Sequence, residues 1–146
     1  MHLTLKFLGE IETSRVDAVG AGLERAALNR AAFPLRVVGT GTFPPRGRPR
    51  IIWAGIDTPP ELIELHESIE TQMEALGNER DSRAFSPHLT LGRVKSPHGM
   101  NRTLRELAGL NDFIFGEMIV RRIILFRSRR LPTGAEYTHL KEVELS

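Results

Sequence analysis

The sequence contains no cysteine. That absence excludes a disulfide framework, thiolate zinc ligands and a cysteine nucleophile together, and it suits a reducing compartment. No apolar run approaches the ~20 residues that a membrane-crossing helix needs. The first ten residues, MHLTLKFLGE, show neither the basic start nor the apolar centre of a secretory signal. A cytoplasmic protein with no membrane partner is expected. Also missing is any phosphate-cradling Gly-Lys-Ser/Thr loop, and Gly39-Thr-Gly41 lacks the third glycine and helix-opening context of a dinucleotide loop. The acidic clusters that a two-metal site would use are absent. Lysine is scarce: 17 of the 20 basic residues are arginine.

What is present is a chain of 146 residues and 16.4 kDa, enough for one domain or for two small lobes. It is 40% apolar and 26% charged, the profile of an ordinary globular protein. The net charge is only +2, yet the arginines are bunched: Arg46, Arg48 and Arg50, then Arg121 and Arg122, then Arg127, Arg129 and Arg130. Arginine suits bidentate phosphate contacts, so the bunching points to a phosphate-bearing partner. Arginine standing in for lysine through genome composition gives the same count. Charge alone does not decide.

Leu3, Leu5 and Phe7 alternate with His2, Thr4 and Lys6, the period-2 pattern of a half-buried strand over 1–8. Gly9 ends it, and Val16, Val19, Leu23 and Ala26 mark a helix over about 14–31 that Pro34 terminates. Strands are predicted at Leu35 to Thr42 and Ile51 to Ile56, flanking a Pro/Gly loop. A second helix carries a stripe of Leu62, Leu65, Ile69, Met73 and Leu76. Residues 85–95 read as a strand, Leu104 and Leu107 as a short helix, and Phe113 to Arg127 as strand broken near Gly116. A last strand runs from Glu136 to Leu145.

That order repeats. From His2, and again from His88, the chain reads strand, helix, strand, loop, strand, and both copies open on His-Leu-Thr-Leu. Composition predicts only ~0.005 occurrences of this tetrad, so two call for duplication, shared function or both.

Residues i and i+2 of a strand project from one face, so His2 points with Thr4, and His88 with Thr90. A hydroxyl donates to a phosphoryl oxygen, and an imidazole moves a proton near neutral pH. Two such units across a groove supply an acid and a base on opposite sides of one phosphorus atom, as in-line displacement requires. No metal and no cofactor are called for. A zinc reading would join His2 and His88 to His66, His98 or His139, but the repeated partner is threonine, not a metal ligand. His66 reads as helix surface or boundary and His98 as a turn residue. Phe7, Phe43 and Trp53 are candidates for stacking on a base, with core packing as the competing role.

The tetrads, together with HLTLKFLGE at 2–10, PRIIWAGI at 49–56, SPHLTLGRV at 86–94 and LFRSRRLPTGAEYTHLKEVEL at 125–145, resemble the two-histidine (2H) phosphoesterases. Within these the chain is most similar to the LigT-like RNA 2′,3′-cyclic phosphodiesterases. The resemblance implies an α+β, bilobal, pseudo-twofold fold, with two antiparallel sheets flanked by helices around a central groove. It makes 1–146 one domain of two lobes, one carrying His2 and Thr4, the other His88 and Thr90. It implies hydrolysis of 2′,3′-cyclic phosphate ends of RNA to 2′-phosphate, with 2′-5′ ligation as a related reverse activity. Carried over, His2 is the proton donor, His88 the acceptor, and Thr4 and Thr90 the phosphate-binding hydroxyls. The implied partner is RNA or an oligonucleotide with a cyclic phosphate end; a monomer is expected, and the Arg46–Arg50 loop reads either as steering the anionic substrate or as solvated surface.

Other substrates within the superfamily are a small cyclic phosphate or a 2′-5′ oligonucleotide, and the non-enzymatic alternative is a module that holds an RNA end. Arg93 follows the second tetrad in the family pattern, but strict alternation places it on the face opposite His88, and only a bulge at Gly92 would return it to the groove, so it is left out of the site. A strand at Ile51 and a helix precede His88, and nothing comparable precedes His2. The offset from Ile51 to His88 is 37 residues against one from Met1 to His2. The first strand and helix of the first lobe, about 36 residues, are thus expected to lie upstream of this sequence.

Overall fold

The computed structural model describes residues 2–146. After a 3-10 turn at Thr13–Arg15 come helix α1 (Val16–Ala27), strands β1 (Phe33–Phe43) and β2 (Ile51–Asp57), and helix α2 (Pro60–Ala75). Then follow β3 (His88–Arg93), α3 (Met100–Ala108), β4 (Ile114–Val120), β5 (Arg122–Leu131) and β6 (Gly134–Glu144). The fold is α+β, as expected. One sheet has the order β3-β2-β1-β4, and β5 and β6 form a separate ribbon. The β1/β2, β2/β3 and β5/β6 pairs are all antiparallel.

Contacts divide the chain into two units. The first holds 2–5, 34–59 and 84–118; the second holds 6–33, 60–83 and 119–146. In the second, the expected stripe of α2 buries Leu62, Leu65, Ile69 and Met73, and α1 buries Val19, Leu23 and Ala26. The helices approach closely at Gly22, where a Cβ would sit 2.9 Å from the Met73 methyl. Ile123, Leu125 and Val143 of the ribbon are buried as well, and α1 packs on both ribbon strands. In the first unit Leu35 and Ala54 are the most buried side chains of β1 and β2. Among the described residues no helix is long and apolar enough to cross a membrane.

Beyond shifts of one to three residues at the ends of β1, β3 and β6, three departures from expectation stand out. Helix α1 stops at Ala27, short of residue 31, because Leu28 turns extended and Asn29 takes a left-handed φ of 59°, which asparagine tolerates. The interruption after Phe113 falls at Arg121, while β4 runs through Gly116 without a break. Residues 2–9 belong to no strand. Alternation encodes a two-faced segment, but a ladder also needs a neighbour, and no described strand pairs with this one. Phe7, on the face assigned to the core, is 80% exposed.

Candidate active site

The second tetrad lies on an edge strand whose register decides what shares its face. Gly55 pairs with His88, Ala54 with Leu89 and Trp53 with Thr90; then Ile52 pairs with Gly92 and Ile51 with Arg93. Leu91 is therefore an extra residue, a β-bulge. Directly opposed residues of an antiparallel pair present their side chains on the same face, and Ile51, Trp53 and Gly55 share one face of β2 by strict alternation. His88, Thr90 and Arg93 consequently share that face. The bulge reverses the phase of β3 and returns Arg93 to the imidazole and hydroxyl. This corrects the placement from strict alternation. The only sequence signal was the Leu91-Gly92 pair, which permits a bulge without requiring one.

The same face continues onto β1, where Phe43 opposes Ile51 and Gly41 opposes Trp53. The Phe43 ring meets the His88 imidazole edge-on at 4.9 Å between centroids. Trp53 lies 5.5 Å from Phe43 and 6.4 Å from His88. Both aromatics, read as either core or base-stacking groups, wall the histidine. Gly41 is required by this arrangement, because a Cβ there would overlap the Trp53 indole. The indole Nε1–H is buried without an acceptor among the described residues.

His88 Nδ1 lies 2.7 Å from the Ser86 carbonyl oxygen. A carbonyl only accepts, so Nδ1 carries the proton, and the neutral ring keeps its lone pair on Nε2. The ring is oriented from behind by its own chain and from the side by two aromatic rings. Thr90 is exposed beside it, and Arg93 is exposed with no ion pair among the described residues. The Arg46–Arg50 loop is tied at its base, where Arg50 N–H donates to the Phe43 carbonyl and Val94 N–H to that of Arg50. The Arg46, Arg48 and Arg50 side chains are exposed.

His2 is exposed and Thr4 half-buried, and both fall in the same unit as His88 and Thr90. Two residues past Thr4, Lys6 belongs to the second unit. It donates to both Glu70 carboxylate oxygens, at 2.9 and 2.8 Å, and to the Glu79 carbonyl oxygen at 2.9 Å. The remaining histidines are occupied elsewhere. His66 is buried on α2 with Nε2 3.7 Å from Glu70. His98 sits in the turn, its N–H donating to the Ser96 hydroxyl, and His139 meets Phe126 edge-on at 4.6 Å. Among the described residues no three His, Asp or Glu gather as a ligand set.

The pattern of the 2′-5′ RNA ligase superfamily matches residues 1–131. The chain belongs to this superfamily. Its similarity to relatives named RNA 2′,3′-cyclic phosphodiesterase is nearly end to end. The protein of Archaeoglobus fulgidus is 34% identical over 99% of this chain and 79% of its own. That of Thermotoga maritima is 31% identical over 99% and 75%. Among solved superfamily-like structures, TT0787 of Thermus thermophilus is 32% identical with a TM-score of 0.82, over 99% of this chain and 77% of that one. LigT of E. coli, in complex with 3′-AMP, is 28% identical with a TM-score of 0.75, over 99% and 76%.

Proposed function

We propose that the chain is a phosphodiesterase that opens 2′,3′-cyclic phosphate at the end of RNA to the 2′-phosphate. The observation that carries this is the His88–Thr90–Arg93 face, with a bare imidazole nitrogen beside a hydroxyl and a guanidinium. The names of the relatives at about 30% identity support the same substrate. In the reaction, a water oxygen bonds to phosphorus and passes a proton to His88 Nε2. The bond from phosphorus to the ribose 3′ oxygen breaks, and that oxygen takes a proton from His2. Thr4 and Thr90 donate to the non-bridging oxygens, where charge concentrates at the pentacoordinate stage. Arg93 clamps the same oxygens by its planar fork. The enzyme acts as a monomeric single domain in which the two tetrads serve one phosphate. The same ring opening with a ribose 5′-hydroxyl in place of water gives a 2′-5′ linkage.

The purified chain is expected to convert a dinucleotide ending in 2′,3′-cyclic phosphate to its 2′-phosphate in the presence of EDTA. Binding without turnover would leave only an RNA-end-holding module, and loss of turnover on chelation would remove the two-histidine scheme. Arg93→Ala is expected to lower kcat/KM roughly 10- to 150-fold, the effect of losing a hydrogen bond to a charged group. Arg93→Lys should recover part of that loss, since the charge remains and the fork does not. A wild-type kcat/KM for Arg93→Ala would return the arginine to the solvated surface.

A further inference from the structure

The β5/β6 ribbon has an outer half that the reaction does not use. From Arg127 to Tyr137 every side chain is exposed. Some arginines spend their guanidinium on the protein itself: Arg15 on the Leu76 carbonyl, Arg25 on Gln72, Arg36 on Glu117, Arg122 on Glu142. Arg127, Arg129 and Arg130 have no side-chain hydrogen bond or ion pair among the described residues. Against these three arginines, 126–139 contains one acid, Glu136, which lies opposite Arg129.

The register sorts these groups by face. Phe126 opposes His139, Ser128 opposes Tyr137 and Arg130 opposes Ala135. One face of the ribbon thus carries three rings, a hydroxyl and a guanidinium, while Arg127 and Arg129 emerge on the other face with Thr138 and Glu136. Phe126 supports both neighbours edge-on, Tyr137 at 5.9 Å and His139 at 4.6 Å. Tyr137 remains 48% exposed. A rigidly backed, half-open tyrosine face beside an arginine suits a nucleobase, and unpaired guanidiniums along the same ribbon suit the phosphates that link successive bases.

We propose that the outer half of this ribbon binds single-stranded RNA, with Tyr137 stacking on a base, Arg130 contacting the sugar-phosphate chain on that face, and Arg127 and Arg129 contacting it where it passes round the ribbon to the other face. This rests on the RNA-end reading for its substrate, and it extends that reading from the terminal phosphate to the strand carrying it. The ribbon raises the affinity for oligonucleotides and leaves the handling of a dinucleotide unchanged.

The test is the fluorescence anisotropy of a labelled ten-nucleotide RNA with a 3′-hydroxyl end, which can bind but has no cyclic phosphate to hydrolyse. Tyr137→Leu is expected to weaken binding at least about fivefold, the lower bound for losing one stacked base. Arg127→Gln, Arg129→Gln and Arg130→Gln together are expected to flatten the log–log salt dependence by about 2, since each single-strand phosphate contact contributes about 0.7. All variants should keep the wild-type melting temperature and dinucleotide kinetics. Wild-type RNA affinity in the triple variant overturns the proposal. So does a Tyr137→Leu variant that binds RNA normally while the triple variant also releases anionic phosphatidylserine vesicles, since that marks an unspecific anion patch. Failure of dinucleotide turnover in the wild type would count against the phosphodiesterase reading and leave the anisotropy result intact.

Discussion

His88→Ala is expected to lower turnover of a cyclic-phosphate dinucleotide by roughly 10²–10⁴, the usual contribution of a positioned general base. His2→Ala should fall in the same range if its imidazole delivers the proton to the departing ribose oxygen. The variants are told apart by the leaving group. An activated aryl phosphodiester departs without protonation, so His2→Ala should regain most of its rate on that substrate while His88→Ala stays impaired. The opposite pattern exchanges the two roles, and no rescue of either removes the acid–base scheme. The order proposed here is the one the family resemblance implies, and the 2.7 Å contact between His88 Nδ1 and the Ser86 carbonyl is compatible with it, since it leaves Nε2 as an acceptor when the ring is neutral. Because the base acts neutral and the acid protonated, kcat/KM should be bell-shaped in pH, and each single variant should lose one limb. The double variant should lose less than the product of the single losses, since removing one member of a concerted pair already disables the other.

The tetrads were legible because the period of a strand is local: position i and i+2 share a face whatever lies alongside. The placement of Arg93 was not legible for the complementary reason. It depends on where β3 slips against β2, and that slip at Leu91 is a property of the pairing. Residues 2–8 show the same limit from the other side, since their alternation marks two faces without naming a partner strand. The apolar stripe of α2 was read correctly down to Met73 because helical spacing is also local. The break at Arg121 escaped notice because Gly116, the obvious interruption, sits in a strand at the edge of its sheet, where a missing side chain is tolerated. Lys6 shows a different failure. By alternation it joined His2 and Thr4 as a polar group, yet its side chain is only 6% exposed. The clue lay 64 residues away, in Glu70, whose neighbour Ile69 belongs to the buried stripe of α2. A carboxylate buried there requires a cation, and long-range pairing of that kind has no signature in spacing.

That pair gives the second large expected effect. Lys6→Met should destabilise the chain by about 3–5 kcal/mol, a large share of the roughly 5–15 kcal/mol that holds a domain of this kind folded. Its partner Glu70 is 3% exposed. Without the ammonium, the carboxylate keeps, among the described residues, only the Asp81 backbone N–H at 3.3 Å and the nearby His66 ring at 3.7 Å. The cost comes from the charge left behind, so removing it as well should help: Lys6→Met with Glu70→Leu should recover most of the lost urea midpoint. If the double variant is as unstable as the single one, the loss belongs to packing around the lysine stem instead. Activity separates a further role. Lys6 stands two residues past Thr4, and its hydrogen bonds to Glu70 and to the Glu79 carbonyl fix the chain there. The double variant restores the fold without restoring that tether, so its kcat should stay below wild type at temperatures where both are fully folded. Full recovery of kcat alongside stability would show that the first tetrad holds its place without Lys6.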